Sequence, residues 1–335
     1  MCERCDMEIG RAKVSLDPAI VALLSPLREA GLVTPDPAQV GITEARRVNE
    51  AYFRAISEPK VAVRSVSVVE AAAADGYRAP VKVAVPFNAP PNAPAILYCH
   101  GGGYAFGDID THDGVIRAYA AAFGMPVFGL HYRRTPEHAY PLALEDALAA
   151  VAAMRSEGWA RQFDHDPSTI LVIGDSAGAH LALTTMLALR ERGLPQLSGA
   201  GLIYGMYARR FDTWSHHAYG DGSVGLSSDR MRWFWDSLMG QADSAHDPLK
   251  EPLNSDLSHL PPLTLFAAEV DCLLDDTLDF VETCKRQGHR HTFDLVRGMP
   301  HGFMHFMAIH SGTADALGLL ARRMKAALLP SQKTI

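Results

Sequence analysis

The stretch TILVIGDSAGAHLALTTMLALR, residues 169–190, decides the fold. Its first six residues are a continuous apolar run of strand length, and the residues from His180 onward read as a helix. Between them stands Gly174-Asp175-Ser176-Ala177-Gly178, which is G-x-S-x-G. Strand, sharp turn and helix in that order give the motif its meaning. A turn this sharp strains the serine backbone, so only small residues fit beside it, and the outer glycines let strand and helix approach closely. The Ser176 hydroxyl then projects from the carboxyl end of a sheet, beside a helix N-terminus whose dipole favours developing negative charge. Alone, the pentapeptide would read as a serine in a tight turn; its flanks make Ser176 a candidate nucleophile.

Working outward, the run is one of a series. AILYCH (95–100), VFGLHY (127–132), AGLIYG (200–205), LTLFAAE (263–269) and HTFDLV (291–296) are short and apolar, and helical stretches separate them. Such runs point to a mostly parallel sheet covered on both faces. VAVRSVSVVE (61–70) and VKVAVPF (81–87) alternate instead, with the turn ADGYRAP between them, and read as a hairpin. The sum is an eight-stranded, mostly parallel α/β sheet flanked by helices. Two segments fall outside it. Residues 1–60 read as helical, with Ile20, Leu23, Leu24 and Leu27 at helical spacing, Pro35 and Pro37 as a break, and Thr43 as N-cap of a second helix. Residues 205–250 hold no clear strand but do hold Trp214, Trp233 and Trp235.

Composition narrows the function classes. The 335 residues are 48% hydrophobic and 21% charged, as expected of a globular chain, and the net charge of −7 with no basic run argues against nucleic-acid binding. No apolar stretch is long enough for a membrane span, and MCERCDMEIGRAK has no apolar signal core. Five unpatterned cysteines suit a reducing cytoplasm. Cys2 and Cys5 form C-x-x-C without a second ligand pair and read as free thiols at a frayed terminus. Gly220, Gly222 and Gly225 spell G-x-G-x-x-G, but no strand precedes them, so dinucleotide binding is not expected.

Three more positions follow from the strands. His100-Gly101-Gly102-Gly103 follows AILYC directly, and consecutive glycines there leave backbone N–H groups free to face an oxyanion. His100 reads as a loop-ordering residue. The second donor to that oxyanion should be the N–H of Ala177. In the order Ser…Asp/Glu…His of an α/β-hydrolase, the acid lies past a late strand and the base past the last one. Asp271 takes the first place ahead of Glu269, Asp275 and Asp276. His301 takes the second, since His289 and His291 precede the strand. His301 and His305 have the i,i+4 spacing of a metal pair, but no carboxylate pattern supports them, and no metal or cofactor is expected.

Together YCHGGGYAFGDIDTHD (98–113), HYRRTPEHAYPLALEDAL (131–148), GDSAGAHLAL (174–183), DLSHLPPLTLFAAEVDCLLDD (256–276) and MPHGFMHF (299–306) resemble the hormone-sensitive-lipase-like family of α/β-hydrolases, its bacterial acetyl-esterase branch in particular. The resemblance implies an α/β-hydrolase fold for 61–335, with a helical cap made of residues 1–60 and of 205–250 inserted as a second segment. It implies a cofactor-free serine carboxylesterase for short- to medium-chain esters of small molecules, often a homodimer. On its pattern Ser176, Asp271 and His301 are the catalytic residues, and Gly102, Gly103 and Ala177 the oxyanion hole, with His100, Gly101 and Asp175 as motif support. Tyr207, Phe211, Trp214, Trp233 and Phe234 are the candidate pocket walls, and at least half of them are expected in the cap's own core. The chain departs from the family at Asp271-Cys272-Leu273, where D-P-L is usual, and at Ala179-His180. The same machinery could serve an amidase, a lactonase or a carbamate hydrolase. A ligand-binding receptor on this scaffold would be marked by loss of the base.

Overall fold

The six apolar runs and the two alternating stretches enter one sheet in the order β1-β2-β4-β3-β5-β6-β7-β8. The computed structural model describes residues 12–239 and 250–329; Cys2 and Cys5 lie outside them. The strands are β1 (Ser65–Ala72), β2 (Arg78–Val85), β3 (Ala93–Cys99), β4 (Val127–Leu130), β5 (His165–Asp175), β6 (Gly199–Ile203), β7 (Leu263–Val270) and β8 (His291–Pro300). β2 runs antiparallel to both neighbours, and from β4 to β8 every pairing is parallel. β1 is an edge strand and extends only where β2 offers partners, from Ser65 opposite Val85 to Ala72 opposite Arg78. It therefore starts four residues later than its alternating pattern suggests.

The central runs are apolar throughout because both sheet faces are buried and side chains alternate between them. Leu97, Cys99 and Val172 enter one core; Ile96, Tyr98, Leu171 and Ile173 enter the other.

The N-terminal segment forms α1 (Pro18–Glu29), α2 (Pro37–Val40) and α3 (Ile42–Ile56). Asp17 and Asp36 cap the first two through the N–H groups of Ala19 and Ala38, each with proline at the first helical position. Thr43 is not the N-cap of α3. Gly41, at φ +79°, turns the chain there, so the helix begins at Ile42 and Thr43 sits in its first turn.

In the main layer, α4 (Asp113–Phe123) packs on one face, and α5 (Leu142–Met154), α6 (Glu157–Phe163) and α7 (Ala177–Glu191) on the other. The inserted segment contributes α8 (Trp214–Tyr219) and α9 (Ser228–Met239). α10 (Leu274–Arg286) and α11 (Ser311–Ala327) complete the layers.

The N-terminal and inserted segments touch. Val14 N–H donates to Tyr219 Oη at 2.9 Å, Arg28 Nη2 to the Ser223 carbonyl at 2.8 Å, and Arg230 Nη2 to the Thr34 carbonyl. Among the described residues no helix is long and apolar enough to cross a membrane.

Topology brings the motifs to one edge. β3, β5, β7 and β8 point the same way, and the glycine loop, Ser176, Asp271 and His301 each follow the end of one of them.

Candidate active site

Ser176 sits between β5 and α7 with φ 56° and ψ −120°, a backbone state an L-residue holds only under constraint. Its N–H donates to the Ile203 carbonyl at 2.8 Å, and its carbonyl accepts from Ala179 N–H at 3.0 Å. The flanking glycines are sterically required. A Cβ on Gly178 would stand 1.9 Å from the Cys99 carbonyl oxygen, and one on Gly174 would stand 2.0 Å from the Gly178 oxygen. The chain is folded too tightly here for any side chain but hydrogen.

His301 links the serine to the acid. Its Nε2 is 2.8 Å from Ser176 Oγ and its Nδ1 is 2.7 Å from Asp271 Oδ2. Because Asp271 can only accept when ionised, Nδ1 carries the proton and Nε2 is left to accept from the serine hydroxyl. Asp271 is buried, and its other oxygen accepts the Leu273 N–H at 3.0 Å. The inserted segment holds this loop, since Ser215 Oγ donates to the Cys272 carbonyl at 2.7 Å. Cys272 is buried behind Asp271, and burial with that carboxylate pushes its thiol pKa well up.

The other candidate acids have separate partners. Glu269 accepts from Gly298 N–H at 2.8 Å and Asp275 from Ser215 N–H at 2.8 Å. Asp276 accepts from Tyr207 N–H at 3.1 Å, and burial raises its pKa to about 7. His289 reaches the Leu260 carbonyl, before β7, at the opposite edge.

The glycine loop faces the serine. Among the described residues, none of the N–H groups of Gly102, Gly103 and Ala177 finds an acceptor in the protein. Phe234 of α9 lies flat over Gly103, where a Cβ would come within 2.2 Å of its ring.

Asp175 fixes the loop relative to the serine. It accepts from Tyr98 Oη at 2.7 Å, from Gly101 N–H at 3.1 Å and from Tyr204 Oη at 3.3 Å. His100 orders the loop from within: its Nδ1 lies 2.8 Å from the Gly101 carbonyl, and its ring stacks on Tyr132 at 4.3 Å.

A group of histidines lies behind the site. His112 packs against His100 at 4.9 Å and against His305 at 4.6 Å between ring centroids. Burial holds all three below the usual histidine pKa, and their mutual repulsion adds to this for His100 and His305. They are neutral imidazoles at neutral pH. His301 and His305 do not form the metal pair their spacing allows, because His301 turns to Asp271 while His305 packs on Phe53. His112, His305 and Asp175 do bring donor atoms within 4.8 Å of one another. The Asp175 oxygens there already accept from Tyr98, Tyr204 and the Gly101 amide.

An open pocket, with about 1080 Å³ of empty space including its mouth, leads to Ser176 and His301. Its walls come chiefly from the N-terminal segment: Leu24, Leu27, Leu32 and Val33, then Tyr52, Phe53 and Ile56 of α3. Phe106, Leu226, Arg230 and Phe234 complete them.

Of the five aromatic wall candidates, only Phe234 lines this pocket. Tyr207 is fully buried and stacks on Phe280 at 4.5 Å. Phe211 lies under the Arg232 guanidinium and Trp214 packs on Tyr219. Trp233 packs edge-on against Phe234 rather than into the pocket. These four face away because the inserted segment must bury apolar surface of its own. His180 likewise packs inward, between Tyr104 Oη at 2.6 Å and the Lys250 carbonyl at 2.8 Å. The G-x-G-x-x-G triplet follows α8, not a strand, and two of its glycines line the pocket mouth. Sequence periodicity marks α1 and α3 as amphipathic; their pocket role would have been legible only from apolar stripes wider than a neighbour requires.

Residues 96–305 match the family model described as alpha/beta hydrolase fold, Abhydrolase_3. That is well over half the chain, which therefore belongs to this hormone-sensitive-lipase-like family. The chain is similar to a hyperthermophilic esterase from the archaeon Pyrobaculum calidifontis, at 28% identity and a TM-score of 0.84 over 95% of this chain and 100% of that one. It is similar also to a thermostable esterase from Pseudomonas putida, at 25% identity and a TM-score of 0.84 over 96% and 100%. An ester-hydrolase from the metagenome of Lake Arreo matches at 26% identity, with a TM-score of 0.84 over 93% and 98%. The chain is an esterase-like α/β-hydrolase.

Proposed function

We propose that the protein is a serine carboxylesterase that hydrolyses short- to medium-chain esters through an acyl-enzyme. The observation that carries this reading is the unbroken hydrogen-bonded line Ser176–His301–Asp271, open to a largely apolar pocket and flanked by three N–H groups without acceptors among the described residues.

His301 Nε2 takes the proton from Ser176 Oγ as that oxygen attacks the ester carbonyl. Asp271 fixes the imidazole tautomer and stabilises the imidazolium. The oxyanion is held by the N–H groups of Gly102, Gly103 and Ala177, already oriented before substrate arrives. His301 returns the proton to the departing alcohol. It then deprotonates a water that attacks the acyl-enzyme, and collapse of the second tetrahedral intermediate releases the acid and restores Ser176. The N-terminal and inserted segments act as a cap over the pocket, and their apolar walls receive the acyl chain.

A receptor would have no need of the base, and here His301 is held between nucleophile and acid. The test is hydrolysis of p-nitrophenyl esters of rising chain length, with one anilide and one lactone, beside Ser176→Ala. Turnover of the short and medium esters, lost in the variant, is the expected result. Turnover of the anilide alone would make the protein an amidase.

A further inference from the structure

Among the described residues, one cation in the pocket forms no ion pair with an acid. Arg230 stands in the first turn of α9, four residues before Phe234. The two share a helix face, about 6 Å apart along its axis. Phe234 covers Gly103, so the Arg230 guanidinium belongs to the pocket wall one turn away from the glycine loop.

A guanidinium offers five N–H donors. Here Nη2 donates to the neutral Thr34 carbonyl, and Nε is buried without a partner among the described residues. Among the described residues no carboxylate forms an ion pair with it. Its neighbour Asp229 turns outward to Arg232, and Asp36, the acid whose field reaches it, is taken by the N–H of Ala38. Burial lowers its pKa and outweighs the opposing field of Asp36.

The same wall holds a second cation, Arg28 at the mouth, which donates to the Ser223 carbonyl. The acid among the lining residues is Asp175, buried beneath Ser176 and occupied by Tyr98 and Gly101. The pocket lining is thus cationic in a chain whose net charge is −7. A tie between the two cap segments would need one neutral donor; a charged fork that is left unpaired suits an anion that arrives with the substrate.

We propose that Arg230, with Arg28 behind it at the mouth, binds a carboxylate carried by the substrate at a distance from the scissile bond. The preferred substrates are then esters with a remote carboxylate, such as half-esters of short dicarboxylic acids. This rests on the esterase reading. Leu226 and the α1 leucines offer an apolar lane for an aliphatic spacer between the two groups.

The experiment compares matched pairs by pH-stat. On the acyl side, the monoethyl esters of succinic, glutaric and adipic acids are each set beside their primary-amide isosteres. On the alcohol side, 4-acetoxybutanoate is set beside 4-acetoxybutanamide. The wild-type protein should favour the carboxylate in at least one pair by about tenfold or more in kcat/KM, mainly through KM. Arg230→Gln should collapse that ratio, whereas a purely structural role would lower both members and leave it unchanged. No preference for the carboxylate in any pair, or a ratio untouched by Arg230→Gln, overturns the proposal. If no ester is turned over, p-nitrophenyl esters included, the esterase reading fails; in that case, or if only the matched pairs are inert, calorimetry on Ser176→Ala decides the subsite. Binding of adipate but not its diamide, lost on adding Arg230→Gln, supports it; equal or no binding of the two overturns it.

Discussion

The carboxyl edge of the sheet and the segments above it are built by different means. At the edge, every position follows from backbone geometry. Ser176, Asp271 and His301 each stand just past a strand end, parallel pairing sets those ends side by side, and hydrogen bonds of 2.7 and 2.8 Å join the three side chains. Gly174 and Gly178 leave no room for a methyl group. Above the edge, α1, α3, α8 and α9 come from chain regions about 200 residues apart. They meet through few polar ties, such as Arg28 to the Ser223 carbonyl and Arg230 to Thr34. The lower region sets a few atoms by hydrogen bonds and close backbone packing, while the upper one supplies shape through apolar side chains. Substitutions below should therefore act on turnover, and those above on which substrates are accepted.

The largest effect tests the lower region. Ser176→Ala should reduce kcat by at least about 10⁴-fold with the thermal unfolding midpoint little changed, as read by ester hydrolysis and circular dichroism. Residual activity within tenfold of wild type would break the assignment.

Next comes the contact between the regions, Phe234 on Gly103. Gly103→Ala forces a methyl into that ring. On the proposed mechanism this displaces one oxyanion donor, a change that typically costs about 100-fold in kcat or more. Steady-state kinetics should show that fall in kcat, and a fall confined to KM would mean that the loop does not serve the oxyanion.

In the upper region, Phe53→Ala removes a pocket wall on α3. It should raise KM for medium-chain esters by roughly tenfold while kcat changes less, and shift the chain-length optimum upward. A loss of kcat with unchanged chain preference would contradict the division proposed between the regions.

The smallest effect concerns stability. His100, His112 and His305 take up protons less readily in the folded state than in the unfolded chain. As pH falls below about 6.5 the unfolded state binds more protons, so stability declines. Each such group contributes at most about 1.4 kcal/mol per pH unit. Denaturant unfolding between pH 7.5 and 5 should show this slope, and His305→Leu should flatten it; an unchanged slope would remove His305 from the explanation.

The two regions also differed in how far they could be read from the residues alone. The eight strands and the three aligned side chains were legible because a parallel sheet covered on both faces demands continuous apolar runs, and its loops carry motifs with tight steric needs. The register of β1 was less so, since an edge strand ends where its partner does. The pocket was not legible. Counting aromatics points to five residues, at least half of them expected in a core; of these Phe234 lines the pocket, Phe211, Trp214 and Trp233 pack within the inserted segment and Tyr207 on Phe280 of α10, and most of the walls come from residues such as Leu24, Leu27, Tyr52 and Phe53. Helical spacing shows that such residues share a face but not whether that face meets core or cavity. Asp175 is the reverse case. As the variable residue of G-x-S-x-G it carries no catalytic expectation, yet it joins the Tyr98 hydroxyl and Gly101 amide to the serine turn.

Whether Ser176 is the nucleophile is read by intact-protein and peptide mass spectrometry after incubation with a p-nitrophenyl alkylphosphonate. One covalent adduct per chain is expected, located on Ser176, formed in step with the loss of ester hydrolysis and absent from Ser176→Ala. Ester hydrolysis that continues undiminished, or an adduct on another residue that accounts for the inactivation, would contradict that role.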